Sequence, residues 1–315
     1  MKVIELSYPH NFDKLQFEEN VTAVGFFDGV HKGHQHVIQS AISIAKERGM
    51  KSAVMTFSPH PSVVLSKDEG HVHYITPIEE KRQILAEMGV DYLWVVKFDE
   101  ALAQLSPQHF VDHFFLDLNM KHVVAGFDFS FGHKGKGRMD DLPEYASGAI
   151  SHTVISQVSE DDEKISSTRI RALLDNGDVQ KASELLGRLY TVTGQVIEGE
   201  KRGRTIGFPT ANIKIAEHYY LPKVGVYAVE VNVNGRWLKG MANFGYKPTF
   251  HDDMEKPLLE VHIFDFDQTV YGKTMAVRWH RFIREERKFA GIDDLLSHLY
   301  QDEKDVREFF VQQES

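Results

Sequence analysis

The sequence predicts an α/β protein of two domains, a parallel-sheet domain followed by a small β-barrel with a closing helix. Three observations lead there. At 315 residues the chain is long for one domain and comfortable for two, each large enough to bury its own core. From Val21 to Gly187 short apolar runs alternate with helical patterns, the order that builds a parallel sheet with crossover helices. After Asp175 the texture changes to runs rich in Val, Ile, Tyr and Phe separated by turn signals. The change places the boundary near residue 184, giving segments 1–183 and 184–315.

Strands are expected at Val21–Gly25, Ser52–Phe57, Tyr92–Lys97, His122–Gly126 and Thr153–Val158. Between the first two, Val37, Ile38, Ala41, Ile44 and Ala45 recur at helical spacing until Gly49 stops the helix. Further helices are expected at Ile78–Met88, Pro107–Leu118 and Ser167–Leu174, the second opening with Ser106 as N-cap and Pro107 as first helical residue. A short helix through Ala182–Leu186 precedes the barrel. Within it, Asn234-Gly235 supplies the positive φ angles of a tight hairpin turn, because alternating residues flank it on both sides. Leu258–Phe264 and Met275–Phe282 add strands, and Ile292–Val311 is amphipathic at helical period.

Composition narrows the function. Hydrophobic residues at 42% and charged ones at 26% suit a chain that folds throughout. A net charge of −10 repels phosphate backbones, so no nucleic-acid partner is expected and any bound phosphate needs a dedicated pocket. The absence of cysteine removes disulfides, thiolate metal sites and cysteine nucleophiles, and suits a reducing cytoplasm. The N-terminus lacks the charge and apolar pattern of a signal peptide and no apolar run approaches ~18 residues, so a cytoplasmic location without a membrane partner is expected.

The segment Gly25-Phe26-Phe27-Asp28-Gly29-Val30-His31-Lys32-Gly33-His34 joins the first strand to the first helix. In an open parallel sheet that turn is a ligand site, and a helix N-terminus offers unpaired N–H groups and a positive dipole to a phosphate. His31 and His34 would add donors there while Gly33 lets the backbone approach, which suits charge stabilisation during substitution at phosphorus. A polar helix cap with incidental histidines, or two ligands of a zinc ion, are the other readings of the same residues. In the second half, the turn from Gly203 through Gly207, Pro209 and Thr210 to Asn212 offers glycine N–H groups to phosphates and hard oxygens to Mg²⁺, or is an ordinary loop. Glu260 shares its strand face with Leu258, His262 and Phe264, opposite Leu259, Val261 and Ile263. A carboxylate among apolar neighbours is costly unless it is paired or acts as a base; a solvated Glu on an edge strand is the alternative.

Four ordered blocks in the first half resemble bacterial bifunctional riboflavin kinase/FAD synthetases: GFFDGVHKGH, Thr56-Phe57-Ser58-Pro59-His60-Pro61, Gly126-Phe127-Asp128-Phe129-Ser130-Phe131-Gly132 with Gly137, and Ile165-Ser166-Ser167-Thr168-Arg169-Ile170-Arg171. The second half is similar to the kinase part of that family through Pro209-Thr210-Ala211-Asn212, Leu221–Tyr227, Gly240–Gly245 and Phe282–Phe289. The resemblance implies a Rossmann-like nucleotidyltransferase domain that adenylates FMN to FAD and a barrel that phosphorylates riboflavin, both with ATP and Mg²⁺. By it, Gly25, Phe26, Asp28, Gly29, His31, Gly33, His34, Ser167, Thr168 and Arg171 meet the nucleotide in the first domain, and His60, Pro61, Asp128 and Phe129 lie on the flavin side. In the second, Gly203, Gly207, Pro209, Thr210 and Asn212 hold Mg²⁺-ATP, the metal by Thr210 and Asn212, and Glu260 is the base for the ribityl 5′-hydroxyl. Phe26 stands where many relatives carry Asn, and Lys247 where many carry Arg, which removes a bidentate fork. The implied partners are riboflavin, FMN, FAD and ATP; oligomeric state is not implied. Pantetheine-phosphate and nicotinate-nucleotide adenylyltransferases share the first histidine motif but leave the second half unexplained. A flavin-binding regulator with little turnover is the non-enzymatic alternative, against which the intact His31, His34, Thr210, Asn212 and Glu260 count.

Overall fold

The apolar runs of the first half form six strands, β1 (Lys2–Leu6), β2 (Asn20–Val24), β3 (Lys51–Ser58), β4 (Tyr92–Lys97), β5 (Met120–Gly126) and β6 (Ser151–Ile155). They pair in the order β1-β4-β3-β2-β5-β6, every pair parallel. The computed structural model describes residues 1–65, 73–199, 202–216, 218–249 and 252–313. It divides into two units, Met1–Ser167 and Thr168–Ser315.

A sheet covered on both faces needs strands apolar on both sides, and β2 is buried at all five positions. One face carries α1 (Lys32–Arg48), which turns Val37, Ile38, Ala41 and Ala45 inward and ends where Gly49 adopts φ 65°. The same face takes Leu85 from α2 (Ile78–Glu87). The other face buries Trp94, Phe110, Phe114 and Phe115. Here the expected helix over 107–118 is only partly regular: α3 (Pro107–Val111) gives way to a wider π turn at Asp112–Leu116. The wider turn accompanies complete burial of both Phe114 and Phe115, adjacent residues that a regular α-helix would spread by 100°. The strand expected at Thr153–Val158 begins and ends earlier, and β1, which alternates exposed and buried positions at the sheet edge, went unassigned in the sequence.

The second unit opens with α4 (Ser167–Asp175) and α5 (Val179–Leu186). Six strands follow: β7 (Thr191–Ile197), β8 (Ala211–Ile215), β9 (Gly225–Val233), β10 (Arg236–Thr249), β11 (Asp252–Ile263) and β12 (Thr274–Arg284). They close in the order β7-β8-β11-β10-β9-β12, with β12 returning to β7, so no edge remains open. Asn234 at φ 52° and Gly235 at φ 85° make the expected hairpin turn between β9 and β10. The closing helix α6 (Ile292–Gln313) lays Val306, Phe309 and Phe310 on Phe208, Met241 and Phe264 of the barrel's outer face. Arg284 grips Asp302 of α6 in a two-pronged bond of 2.8 and 2.7 Å, the geometry that makes arginine–carboxylate pairs directional.

Residue 183 lies inside α5, whose Val179 and Ala182 are fully buried. The Ser183 hydroxyl donates to the Val179 carbonyl (2.7 Å) and accepts from the Tyr190 N–H (3.0 Å). A fragment starting at Thr168 should therefore unfold cooperatively, and one starting at 184 should be less stable by about 2–5 kcal/mol, the cost of deleting buried aliphatic groups. Equal denaturant midpoints for the two fragments would contradict this packing.

Candidate active sites

Three of the four sequence blocks of the first half of the chain leave the carboxyl ends of neighbouring strands. The Gly25–His34 segment follows β2, the Pro59–Pro61 segment follows β3, and the Gly126–Gly132 loop follows β5. The chain runs outward from β2 through β3 and β4 on one side and through β5 and β6 on the other, so these ends flank the switch point where open parallel sheets bind ligands.

The turn itself is bent tightly. Phe27 (φ 53°), Gly29 (φ 87°) and Val30 (φ 41°) all have positive φ, a conformation that a β-branched residue adopts only when its surroundings impose it. His31 then caps α1: its Nδ1 accepts from the His34 N–H at 3.3 Å, which leaves the ring proton of the neutral tautomer on Nε2. The His31 and His34 rings stack with centroids 3.5 Å apart and planes 19° from parallel. A Cβ at Gly33 would press on the His31 ring at 3.2 Å, so the glycine keeps this stack and the helix start compact. Both expected histidines thus sit together at the first turn of a 17-residue helix.

Several neighbours hold the turn. The Ser167 hydroxyl donates to the Asp28 carbonyl at 2.8 Å, bringing the fourth block onto it. The Asp28 carboxylate, expected among the nucleotide contacts, is 2% exposed and accepts from the Ile75 and Thr76 N–H groups at 3.3 and 3.1 Å. It braces the turn. Opposite, the Lys81 ammonium of α2 donates to the Phe26 carbonyl at 2.7 Å and to the Thr56 hydroxyl at 3.1 Å. Burial pulls its pKa down to about 8, with Asp28 opposing that shift. Phe26 lies between Lys81, 4.8 Å from its ring centroid, and His60, whose ring meets it edge-on at 4.3 Å. His60 Nδ1 accepts from the Ser62 N–H at the short helix that Pro61 begins.

On the remaining loop, Phe129 packs half-buried against the core, while Asp128 is exposed and paired with Lys164 at 2.8 Å. Thr168 is exposed on α4. In the second unit Arg171 lies 5.5 Å from the centroid of the Tyr220 ring, and the Tyr220 hydroxyl donates to Asp175 of the same helix at 2.9 Å.

In the barrel, register does the positioning. Asn212 of β8 pairs with Glu260 of β11, and Glu260 pairs on its other side with Asn243 of β10. The three side chains stand in one row across three strands, on the face opposite the fully buried Ile213, Leu259, Val261, Ala242 and Phe244. Glu260 therefore sits on a central strand of a closed barrel rather than on an edge. The row opens into a cavity of about 430 Å³ between the barrel's outer face and α6, lined also by Gly203, Thr210, Arg284, Glu286 and Phe289. A second cavity of about 340 Å³ lies beyond Thr210, with Arg204, Pro209 and Tyr271 on its walls; Thr210 lines both.

The loop between them is fixed by backbone. The Phe208 N–H donates to the Gly203 carbonyl at 2.9 Å, and a Cβ at Gly203 would collide with the Phe208 carbonyl. Gly207 has φ 86° and is exposed, serving the turn rather than either cavity wall. His262 Nδ1 donates to the Pro209 carbonyl at 2.8 Å. Asn212 is 7% exposed, its amide backed by Gly199, where a side chain would overlap it. The Lys247 side chain lies outside the described residues.

The sequence reading did not single out three residues that the fold brings to these sites. Lys81 falls on the buried face of α2 at the spacing of Ile78 and Leu85, and a lysine on an apolar stripe was the available signal. Asn243 and Glu286, joined at 3.1 Å, lie inside the Gly240–Gly245 and Phe282–Phe289 blocks but are not marked out within them; strand pairing is what brings Asn243 beside Glu260.

Comparison with known proteins agrees with both halves. Residues 13–169 match the FAD synthetase family and residues 186–310 the riboflavin kinase family. The chain is 48% identical over its full length to the bifunctional riboflavin kinase/FMN adenylyltransferase of Listeria monocytogenes, and also covers the whole of that protein. It is 47% identical to the Bacillus subtilis protein of the same description, with 98% of each chain covered. A Streptococcus pneumoniae crystal structure described as a macrolide-efflux protein superposes with a TM-score of 0.87 at 35% identity, covering 97% of this chain and 98% of that one. The efflux description stays with that protein; among the described residues here no helix is long and apolar enough to cross a membrane. With a histidine-capped helix at the switch point of a parallel sheet and a carboxylate set between two amides on a barrel, the chain belongs to the bifunctional riboflavin kinase/FMN adenylyltransferase family.

Proposed function

We propose that the two ATP-dependent steps of this enzyme, phosphorylation of riboflavin to FMN and adenylation of FMN to FAD, run at two separate sites, the first in the barrel and the second at the His31–His34 turn. The row Asn212–Glu260–Asn243 beside Thr210 carries the kinase assignment. A ribityl hydroxyl is a poor nucleophile until its proton is removed, and Glu260 is the carboxylate on the cavity wall that sits in that row. We place the flavin in the larger cavity, under α6, and ATP in the smaller, so that the γ-phosphate meets the hydroxyl at Thr210.

Mg²⁺ fits the donor set there. Thr210 and Asn212 offer hydroxyl and amide oxygens, the hard ligands this ion prefers, and phosphate oxygens of the nucleotide would complete its shell. When bound it neutralises charge on the transferring phosphate. Thr210 lies at the boundary between the cavities, Asn212 lines the larger one, and the Phe208 N–H to Gly203 carbonyl bond closes the turn that precedes them.

Adenylation needs no base. The FMN phosphate is already an anion at neutral pH, so its oxygen attacks the α-phosphorus of ATP directly and pyrophosphate leaves. The task of the protein is to hold the triphosphate in line and offset its charge. We assign that to the N–H groups at the start of α1, His31 Nε2 and His34, with Ser167 holding the turn through the Asp28 carbonyl. The flavin side is assigned to His60, Pro61, Asp128 and Phe129, and the absence of cysteine supports a cytoplasmic location.

Two variants test the division. Replacing His31 and His34 together by Ala should lower adenylation of supplied FMN by about 10²-fold or more while riboflavin phosphorylation continues. Near-normal FAD formation would remove the histidines from the site. Glu260→Gln should lower FMN formation by ~10² or more and leave adenylation of supplied FMN intact. Unchanged phosphorylation with an unchanged melting curve would show that the carboxylate is not the base.

A further inference from the structure

We propose that Lys81 is a positioning residue of the adenylyl-transfer site, whose buried side chain holds the Gly25–Val30 turn in the shape that aims His31 and the start of α1 at the phosphates. The inference rests on the reading of that turn given above. Lysine is among the residues least often buried without a partner, yet Lys81 is 3% exposed on the inner face of α2. Its position is explained by what it touches. The ammonium donates to the Phe26 carbonyl at 2.7 Å and to the Thr56 hydroxyl at 3.1 Å, and that hydroxyl donates to the same Phe26 carbonyl at 2.8 Å. The three groups form a closed triangle at the point where β2 gives way to the turn.

The turn needs such a clamp. Phe27 at φ 53° and Val30 at φ 41° persist only where neighbours over-determine the backbone. Lys81 fixes the residue before this strained run. Asp28, inside the run, is tied to the N–H groups of Ile75 and Thr76, which lead into the helix that carries Lys81. One segment, residues 75–81, therefore grips the turn at two points, with backbone N–H groups on the Asp28 carboxylate and with the Lys81 ammonium on the Phe26 carbonyl.

The ammonium is present below a pH of about 8 and is lost above it, because burial lowers its proton affinity and Asp28 offsets only part of that. Among the described residues the titratable groups around it are Asp28 on the turn and, across the Phe26 ring, His60 and Tyr74; Thr56 is its polar neighbour on β3. Deprotonation leaves the Phe26 carbonyl with a weaker neutral donor. Adenylation in the intact protein should consequently fall on an alkaline limb near pH 8, and phosphorylation of riboflavin, at the other site, should lack this limb.

The test uses the full-length chain carrying Lys81→Met, which keeps the bulk and removes the charge. Adenylation of supplied FMN should drop about 10–100-fold, with a raised KM for ATP, as expected when a binding turn is displaced. The alkaline limb should vanish, and riboflavin phosphorylation should stay at the wild-type rate. Wild-type adenylation with the limb retained overturns the proposal. If Lys81→Met does not fold, Thr56→Val removes one acceptor of the ammonium, and the limb should move to lower pH while the kinase profile stays in place; an unmoved limb overturns the proposal equally. The histidine double variant separates this idea from the site reading. Normal adenylation in that variant removes the site, whereas normal adenylation in Lys81→Met beside an inactive histidine variant removes only the role of the lysine.

Discussion

Because side chains alternate across a strand, a slip of one residue in the pairing of β11 with β8 and β10 would turn Glu260 into the barrel and Leu259 out into the cavity. The Asn212–Glu260–Asn243 row exists only in the observed register. Leu259, Val261 and Ile263 are all 5% exposed or less, and burying that apolar set on one face is what forces the carboxylate and its two amide neighbours onto the other. Barrel closure adds the rest, since a strand paired on both sides cannot slide without breaking two ladders. The parallel sheet applies the same constraint differently. Its register aligns the carboxyl ends of β3, β2 and β5, so three loops far apart in sequence start side by side.

The two sites differ in what holds them rigid. In the barrel the Asn212–Glu260–Asn243 row stands on strands, and precision comes from the ladder itself. In the parallel-sheet unit the two histidines stand at the end of a strained turn, and precision comes from groups that reach it from elsewhere, the Ser167 hydroxyl, the Ile75 and Thr76 N–H groups and the Lys81 ammonium among them. That difference matches the chemistry. A hydroxyl needs a base at one fixed atom, whereas a phosphate nucleophile needs only an aligned set of donors. The carboxylate of the first site, Asp28, is accordingly directed at backbone N–H groups, and the carboxylate of the second faces the cavity.

Much of this was legible in the residues. The Gly49 stop, the Asn234-Gly235 hairpin and the Ser106-Pro107 helix start are local signals with local causes, and each appears in place. The alternation around Glu260 separated the two faces of β11 correctly. What escaped depends on distant partners. Strand β8 hid behind the glycine and proline of the preceding loop, although Ala211-Asn212-Ile213-Lys214-Ile215 alternates once its neighbours are known. The π turn at Asp112–Leu116 answers to the packing of two phenylalanines, and Asn243 gains meaning only from the strand beside it.

If the two steps run at chemically independent sites linked only by FMN, each step can be lost without the other. Mixing the His31→Ala/His34→Ala variant with the Glu260→Gln variant, each unable to convert riboflavin to FAD alone, tests it directly. Given riboflavin, ATP and Mg²⁺, the mixture should form FAD after a lag in which FMN accumulates, because one protein supplies the step the other has lost. No FAD above the level of the separate variants, with each variant folded and active in its remaining half-reaction, would contradict two independent sites.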